Sequence, residues 1–214
     1  MVIQTDDTLL HEITNLLVNK YGCHTIILYG SRARGKSDSN SDYDIVAIRE
    51  KGEIEKDCRM LGEAFVDAFI YSEDYVKAPD EFLTRIRDGK VLLQKDGLGD
   101  KILSQAQANF DIGPQQTPGW EKQEIKMWLP KMLARAERAD IEGNFRRHWL
   151  LHELLNSYFR LNDLWYLGPK ESFAWLKSND PQIYKCFESA LAVGADIETI
   201  RNLITMIIDK SMSY

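Results

Sequence analysis

Cysteine is scarce: Cys23, Cys58 and Cys186 are the only three, odd in number and far apart. They supply no disulfide framework and no CxxC metal spacing, so they read as reduced thiols. Long apolar runs are missing as well. No stretch reaches the roughly 18 consecutive apolar residues of a membrane span. The opening MVIQTDDTLLHE has no basic segment ahead of an apolar run, and so no signal-peptide pattern. An excess of positive charge is also absent, since 27 Lys and Arg stand against 33 Asp and Glu for a net −6. General nucleic-acid binding needs clustered cations to neutralise phosphates, which this balance disfavours. These absences predict a cytoplasmic protein in a reducing setting, with no membrane partner.

What is present is an ordinary globular composition, 44% hydrophobic, able to bury a core. At about 150 residues per domain, 214 residues make one large domain or two small ones. The chain changes character partway. Residues 6–20 place Leu9, Leu10, Ile13, Leu16 and Leu17 at helical spacing, with Asp6 or Asp7 as N-cap. Strands are predicted at His24–Gly30, Asp42–Ile48, Gly62–Tyr71 and Val91–Gln94. Short helices are predicted at Pro79–Asp88 and Asp100–Asn109, and a polar turn-rich stretch joins the first two strands.

FDIGPQQTPG, residues 110–119, holds two Pro and two Gly and suits a linker. Beyond it only helices are predicted: Trp120–Ile141, Phe145–Leu167, Lys170–Leu176, Pro181–Val193 and Asp196–Met212, with Gly143, Gly168–Pro169, Asn179–Asp180 and Gly194 as stops. The fold expected is α+β: a small mixed-sheet domain over residues 1–109, a linker at 110–119, and an all-α bundle over 120–214.

The informative stretch is Gly30–Ile45, GSRARGKSDSNSDYDI. Gly30, Gly35, Lys36 and Ser37 satisfy the phosphate-loop spacing G-x-x-x-x-G-K-[ST] after a strand. Such a loop must open a helix whose amides hold the phosphates, yet DSNSD follows and then a strand, leaving no room for one. A second pattern carries more. Asp42 and Asp44 flank one residue at the start of an apolar strand, which puts both carboxylates on one face. Carboxylates held that close repel unless a cation lies between them, and oxygen donors of this kind suit Mg²⁺. Asp67 is a third acid, inside the apolar run AFVDAFI, where an unpaired carboxylate is costly. Gly30 lets the backbone approach a phosphate, and Ser31 adds a hydroxyl and an amide. Three acids on neighbouring strands beside a Gly-Ser turn suit a two-metal site for phosphoryl or nucleotidyl transfer. A solvated hairpin capped by Asp and Asn is the bland alternative.

Those residues closely resemble the signature of the DNA polymerase beta-like nucleotidyltransferases, in the branch of minimal and antibiotic nucleotidyltransferases. Gly-Ser, Ala-Arg-Gly, Ser-Asp-x-Asp and a later strand acid appear in order, and the resemblance covers roughly residues 8–105. It implies that Gly30 and Ser31 hold the triphosphate of ATP or another NTP, and that Asp42, Asp44 and Asp67 bind Mg²⁺, two ions in all. It also implies that Arg34 supports the loop or a phosphate. Arg32, Arg34 and Lys36 would place cations beside the phosphate site, with solvated loop charge as the plain reading of Arg32 and Lys36.

The helical half carries no sharp motif. WLLHELLNSYFRLNDLWY, Trp149–Tyr166, reads mainly as core. His148 and His152 share a helix face but lack the H-E-x-x-H order of a zinc site. The antibiotic branch implies a glutamate base on the helical domain, for which Glu153 is the candidate beside Asp67. Lys170 is a candidate for a nucleotide phosphate. The function expected is Mg²⁺-dependent transfer of NMP, AMP from ATP, to a hydroxyl of a small acceptor of aminoglycoside-like type, held in a cleft between the domains, with pyrophosphate released. Two other classes remain: adenylylation of a partner protein, and nucleotide binding without turnover. Acceptor identity, base preference and a homodimeric state are left open.

Overall fold

Asp7 opens the first helix by accepting the amides of Leu9 and Leu10 at 2.9 and 3.3 Å, an N-cap that satisfies two orphan donors. Asp6, the other candidate, lies outside the residues the computed structural model describes, which are 7–38, 40–77, 81–138 and 140–211. Helix α1 runs Thr8–Tyr21 and stops at Gly22 in the left-handed conformation. The chain then gives β1 (Thr25–Tyr29), a single turn α2 (Gly30–Ala33), β2 (Tyr43–Arg49), β3 (Glu55–Leu61) and β4 (Ala64–Ser72). Next come α3 (Glu73–Lys77), α4 (Glu81–Thr84), β5 (Lys90–Leu93) and α5 (Leu98–Ile112).

The five strands form one mixed sheet in the order β3-β4-β2-β1-β5. Only the β2–β4 pair is parallel. The central strands are apolar on both faces because both faces are covered. On one face Leu10, Ile13 and Leu17 of α1 pack on Ile26, Leu28, Ile45 and Ile70. On the other, Ile86, Ile102 and Ala106 pack on Ile27, Val46 and Ile48. Each fully buried Ile or Leu contributes about 1.5–3 kcal/mol.

Three readings of this half need correction. The polar stretch after β1 begins with a helical turn, because the amides of Arg34, Gly35 and Lys36 bond back to Gly30, Arg32 and Ser31. The strand expected from Gly62 is the second arm of a hairpin, whose first arm, β3, is an edge strand with exposed Glu55 and Lys56. The helix expected from Pro79 is the short α4; Pro79 itself lies outside the described residues.

Contacts divide the chain into two units, residues 1–112 and 113–214. Phe110–Ile112, expected in the linker, are the end of α5. Among the described residues the regular elements of the second unit are all helices: α6 (Gly119–Ala136), α7 (Ile141–Leu161), α8 (Pro169–Asn179), α9 (Pro181–Ala190) and α10 (Ile197–Lys210). Gly143 does not stop a helix. It lies in the first turn of α7, where Asp140 caps its amide at 2.7 Å and a Cβ would meet the Arg138 carbonyl at 1.9 Å. Leu150, Leu154, Tyr158 and Phe159 face the core with Leu129, Leu176, Phe187 and Leu203. No described helix is long and apolar enough to cross a membrane.

Candidate active site

The site is built at one end of the sheet, where β1 runs into α2. Gly30 has φ +74, a conformation that side chains disfavour. Its bare Cα also makes room for a neighbour, because a Cβ there would stand 2.1 Å from Asp44 Oδ2. The turn sets Ser31 half-buried beside it. Gly35, at φ +67, ends the turn.

The described residues between Lys36 and Asp42 are held by their own polar side chains. Asp38 Oδ1 accepts the Asn40 amide at 2.9 Å and the Ser41 hydroxyl at 3.1 Å, and Ser41 Oγ accepts the Asp38 amide at 3.0 Å. Arg32 then ties this connection to α2. Its Nε and Nη2 donate to the Ser41 carbonyl at 2.9 and 2.7 Å, and its guanidinium lies 3.9 Å from the centroid of the Tyr43 ring. Arg32 is therefore a strut between α2 and the connection and not a solvated loop charge. Arg34 is half-buried at the end of α2, and Lys36 is exposed. No helix follows Lys36 and Ser37 among the described residues before β2, so the geometry a phosphate loop requires is missing.

Across the sheet the register forms a row. Tyr29 pairs with Asp44, Asp44 with Asp67, and Asp67 with Cys58. In-register neighbours share a face, so Asp44 and Asp67 stand side by side on parallel strands. Asp42, one residue ahead of β2, is exposed. Asp67 is already engaged: Lys56 Nζ lies 3.1 Å from Oδ2, and the Cys58 thiol donates to Oδ1 at 3.4 Å. The negative charge of the row is felt by Tyr29, whose hydroxyl pKa is raised by burial first and then by Asp44 and Asp67. Cys58 is raised by burial and by Asp67. Among the described residues no three His, Cys, Asp or Glu side chains converge as a metal-holding group. What the backbone brings together is the Asp44–Asp67 pair, with the Gly30–Ser31 turn against Asp44.

Residues 11–97 match the family model described as polymerase beta, nucleotidyltransferase. The first unit carries a polymerase beta-type nucleotidyltransferase domain. Transfer of a nucleoside monophosphate is the general activity that such a domain supports. A search of curated proteins gives no match. A solved structure, a nucleotidyltransferase-like protein from Exiguobacterium sibiricum 255-15, is similar at 14% identity and a TM-score of 0.42, over 95% of this chain and 74% of that one.

The remaining candidates lie in the helical unit. Glu153 is half-buried on α7, its Oε1 3.3 Å from Nδ1 of His152. Lys170 is exposed in the first turn of α8. His148 and His152 line a cavity within this unit, and neither Glu153 nor Lys170 is among its lining residues. Sequence reasoning missed Tyr29, Lys56 and Cys58 of the nucleotidyltransferase domain. The signal for Tyr29 was its place just before Gly30, whereas Lys56 and Cys58 carried none until β3 was paired with β4.

Proposed function

We propose that this nucleotidyltransferase transfers AMP from ATP to a hydroxyl group of a small-molecule acceptor and releases pyrophosphate. The observation that supports this best is the Asp44–Asp67 pair in register beside the Gly30–Ser31 turn. Asp42, Asp44 and Asp67 offer only hard carboxylate oxygens, the donor chemistry of Mg²⁺, which takes one or two carboxylates plus substrate phosphates. The fit requires one rearrangement. Lys56 must leave Asp67, and its side chain, 46% exposed, has solvent to move into. Bound Mg²⁺ would supply a lower pKa for the attacking hydroxyl and charge balance for the leaving pyrophosphate.

The residues of the chain do the rest. Gly30 and Ser31 receive the triphosphate, with Arg34 supporting the turn and Lys36 available to a phosphate oxygen. The acceptor oxygen forms a bond to the α-phosphorus, the α–β bridging P–O bond breaks, and the electron pair leaves on pyrophosphate. The acceptor proton passes to the carboxylate of Asp67. Glu153, the second candidate for that role, is assigned no step, and neither is Lys170.

The test is incubation of the full chain with α-labelled ATP and Mg²⁺, together with aminoglycosides, a small-molecule cell extract or a protein lysate. Label on a small molecule supports the proposal. Label on a protein band instead, or no pyrophosphate from any mixture, overturns it.

A further inference from the structure

The helical unit contains a cavity of about 700 Å³, within the roughly 300–1,000 Å³ range of small-molecule sites. One wall is a face of α7 that carries Arg147, His148, Leu151 and His152. Tyr166 and Phe173 supply aromatic surface, and the segment 191–195 between α9 and α10 closes the rim. Arg147 donates to the Ala195 carbonyl and so ties this rim to α7.

Two features of the cavity select a ligand. The first is its charge. Among the described residues its lining holds one guanidinium and two imidazoles and no Asp or Glu. Two acids stand outside the lining: Asp196, which caps α10 through Thr199 and whose carboxylate feels the charge of Arg147, and Glu153 beside His152. A polycation would meet Arg147 with no carboxylate in the lining to bind, whereas a single anion gains charge-assisted hydrogen bonds. The second feature is apolar exposure at the rim. Leu191 is 45% exposed, and Val193 is fully exposed beside it. Scattered exposed apolar residues are ordinary, but here they edge an apolar concavity with a few convergent polar groups.

We infer that this cavity binds a small aromatic carboxylate, its ring against Tyr166 and Phe173 and its carboxylate recognised by Arg147 and His148. The inference concerns the helical unit alone and does not rest on the proposed transfer reaction.

The test uses the intact chain without nucleotide and three probes of one shape: 1-naphthoate, neutral 1-naphthalenemethanol and cationic 1-naphthylmethylammonium. Calorimetry should rank the naphthoate tighter than the alcohol by about tenfold, the worth of one charge-assisted hydrogen bond, and the ammonium weakest. His148→Gln, at an exposed helical position, should weaken naphthoate several-fold and leave the alcohol unchanged. Asn144→Trp, on the same face, should weaken all three by filling the mouth. Equal affinities for the three probes, or no binding of naphthoate up to about 1 mM by a chain with an intact melting transition, would overturn the inference. If a variant fails to fold, the probe ranking on the unaltered chain decides.

Discussion

The Asp44 carboxylate occupies the space a side chain on Gly30 would need: a Cβ there would stand 2.1 Å from Oδ2. Gly30→Ala therefore carries two penalties. The φ of +74 costs an L-residue about 1–2 kcal/mol, and Asp44 must be displaced from its row. Gly35→Ala is the control, since its φ of +67 imposes the same strain but a Cβ there meets nothing within 4 Å. Both variants should melt earlier than the parent. Gly30→Ala alone should lose nucleotidyl transfer, by about a hundredfold or more, measured as pyrophosphate release.

Lys56 sets the charge around Asp67. Its ammonium is 3.1 Å from Oδ2, and removing a cation at that range makes the acidic row more attractive to a divalent ion. Lys56→Met should lower the Mg²⁺ concentration for half-maximal pyrophosphate release several-fold. An unchanged or higher Mg²⁺ requirement would show that Asp67 and Lys56 act as a fixed structural pair.

A pH effect is predicted in the helical unit. Burial opposes ionisation of Asp180, but hydrogen bonds from Lys210 at 2.6 Å, the Tyr158 hydroxyl at 2.8 Å and the Ile183 amide outweigh it and hold its pKa below the usual carboxylate range. A depressed folded-state pKa stabilises above the unfolded value, about 4, and that stability fades as pH falls through the folded value. Asp180→Asn keeps a capping oxygen for Ile183 and loses the charge. It should cost about 1–3 kcal/mol at pH 7, with the gap to the parent narrowing below about pH 4, read by denaturant melts across pH.

The cysteines should differ in reactivity. Cys23 is buried in the α1 face of the sheet, and burial raises its pKa to about 11. At pH 8 about one molecule in a thousand would carry the thiolate there. Alkylation followed by mass spectrometry should modify exposed Cys58 in the native protein and Cys23 only after unfolding.

Much of the sheet was legible because β1 and β2 are buried on both faces, and such strands read as unbroken apolar runs. The motif was legible because it falls at the ends of those strands, where Gly30, Asp42 and Asp44 interrupt the pattern. β3 was not legible. Its one buried residue is Asp57, held by Tyr21, Lys20 and Arg59, so Glu55–Leu61 has the polar look of a loop until β4 pairs with it. Lys56 and Cys58 stayed hidden with it. The role of Arg32 was unreadable for another reason: a guanidinium bonded to a carbonyl nine residues away leaves no local pattern. Gly143 was misread because a glycine needed for close packing inside a helix looks like one that ends a helix. The helical cavity was invisible because Leu151 and Phe173 have the same periodicity whether they face a core or a void.

The most direct measurement is pyrophosphate release by the full chain with ATP, Mg²⁺ and a small-molecule extract, comparing the parent with Asp44→Asn and Lys36→Ala. Asp44→Asn should fold with an unchanged melting transition and lose release by about a hundredfold or more, while Lys36→Ala should retain most of it. Undiminished release by Asp44→Asn, with loss of nucleotide binding in Lys36→Ala, would contradict the carboxylate site and place the chemistry on the phosphate-loop spacing instead.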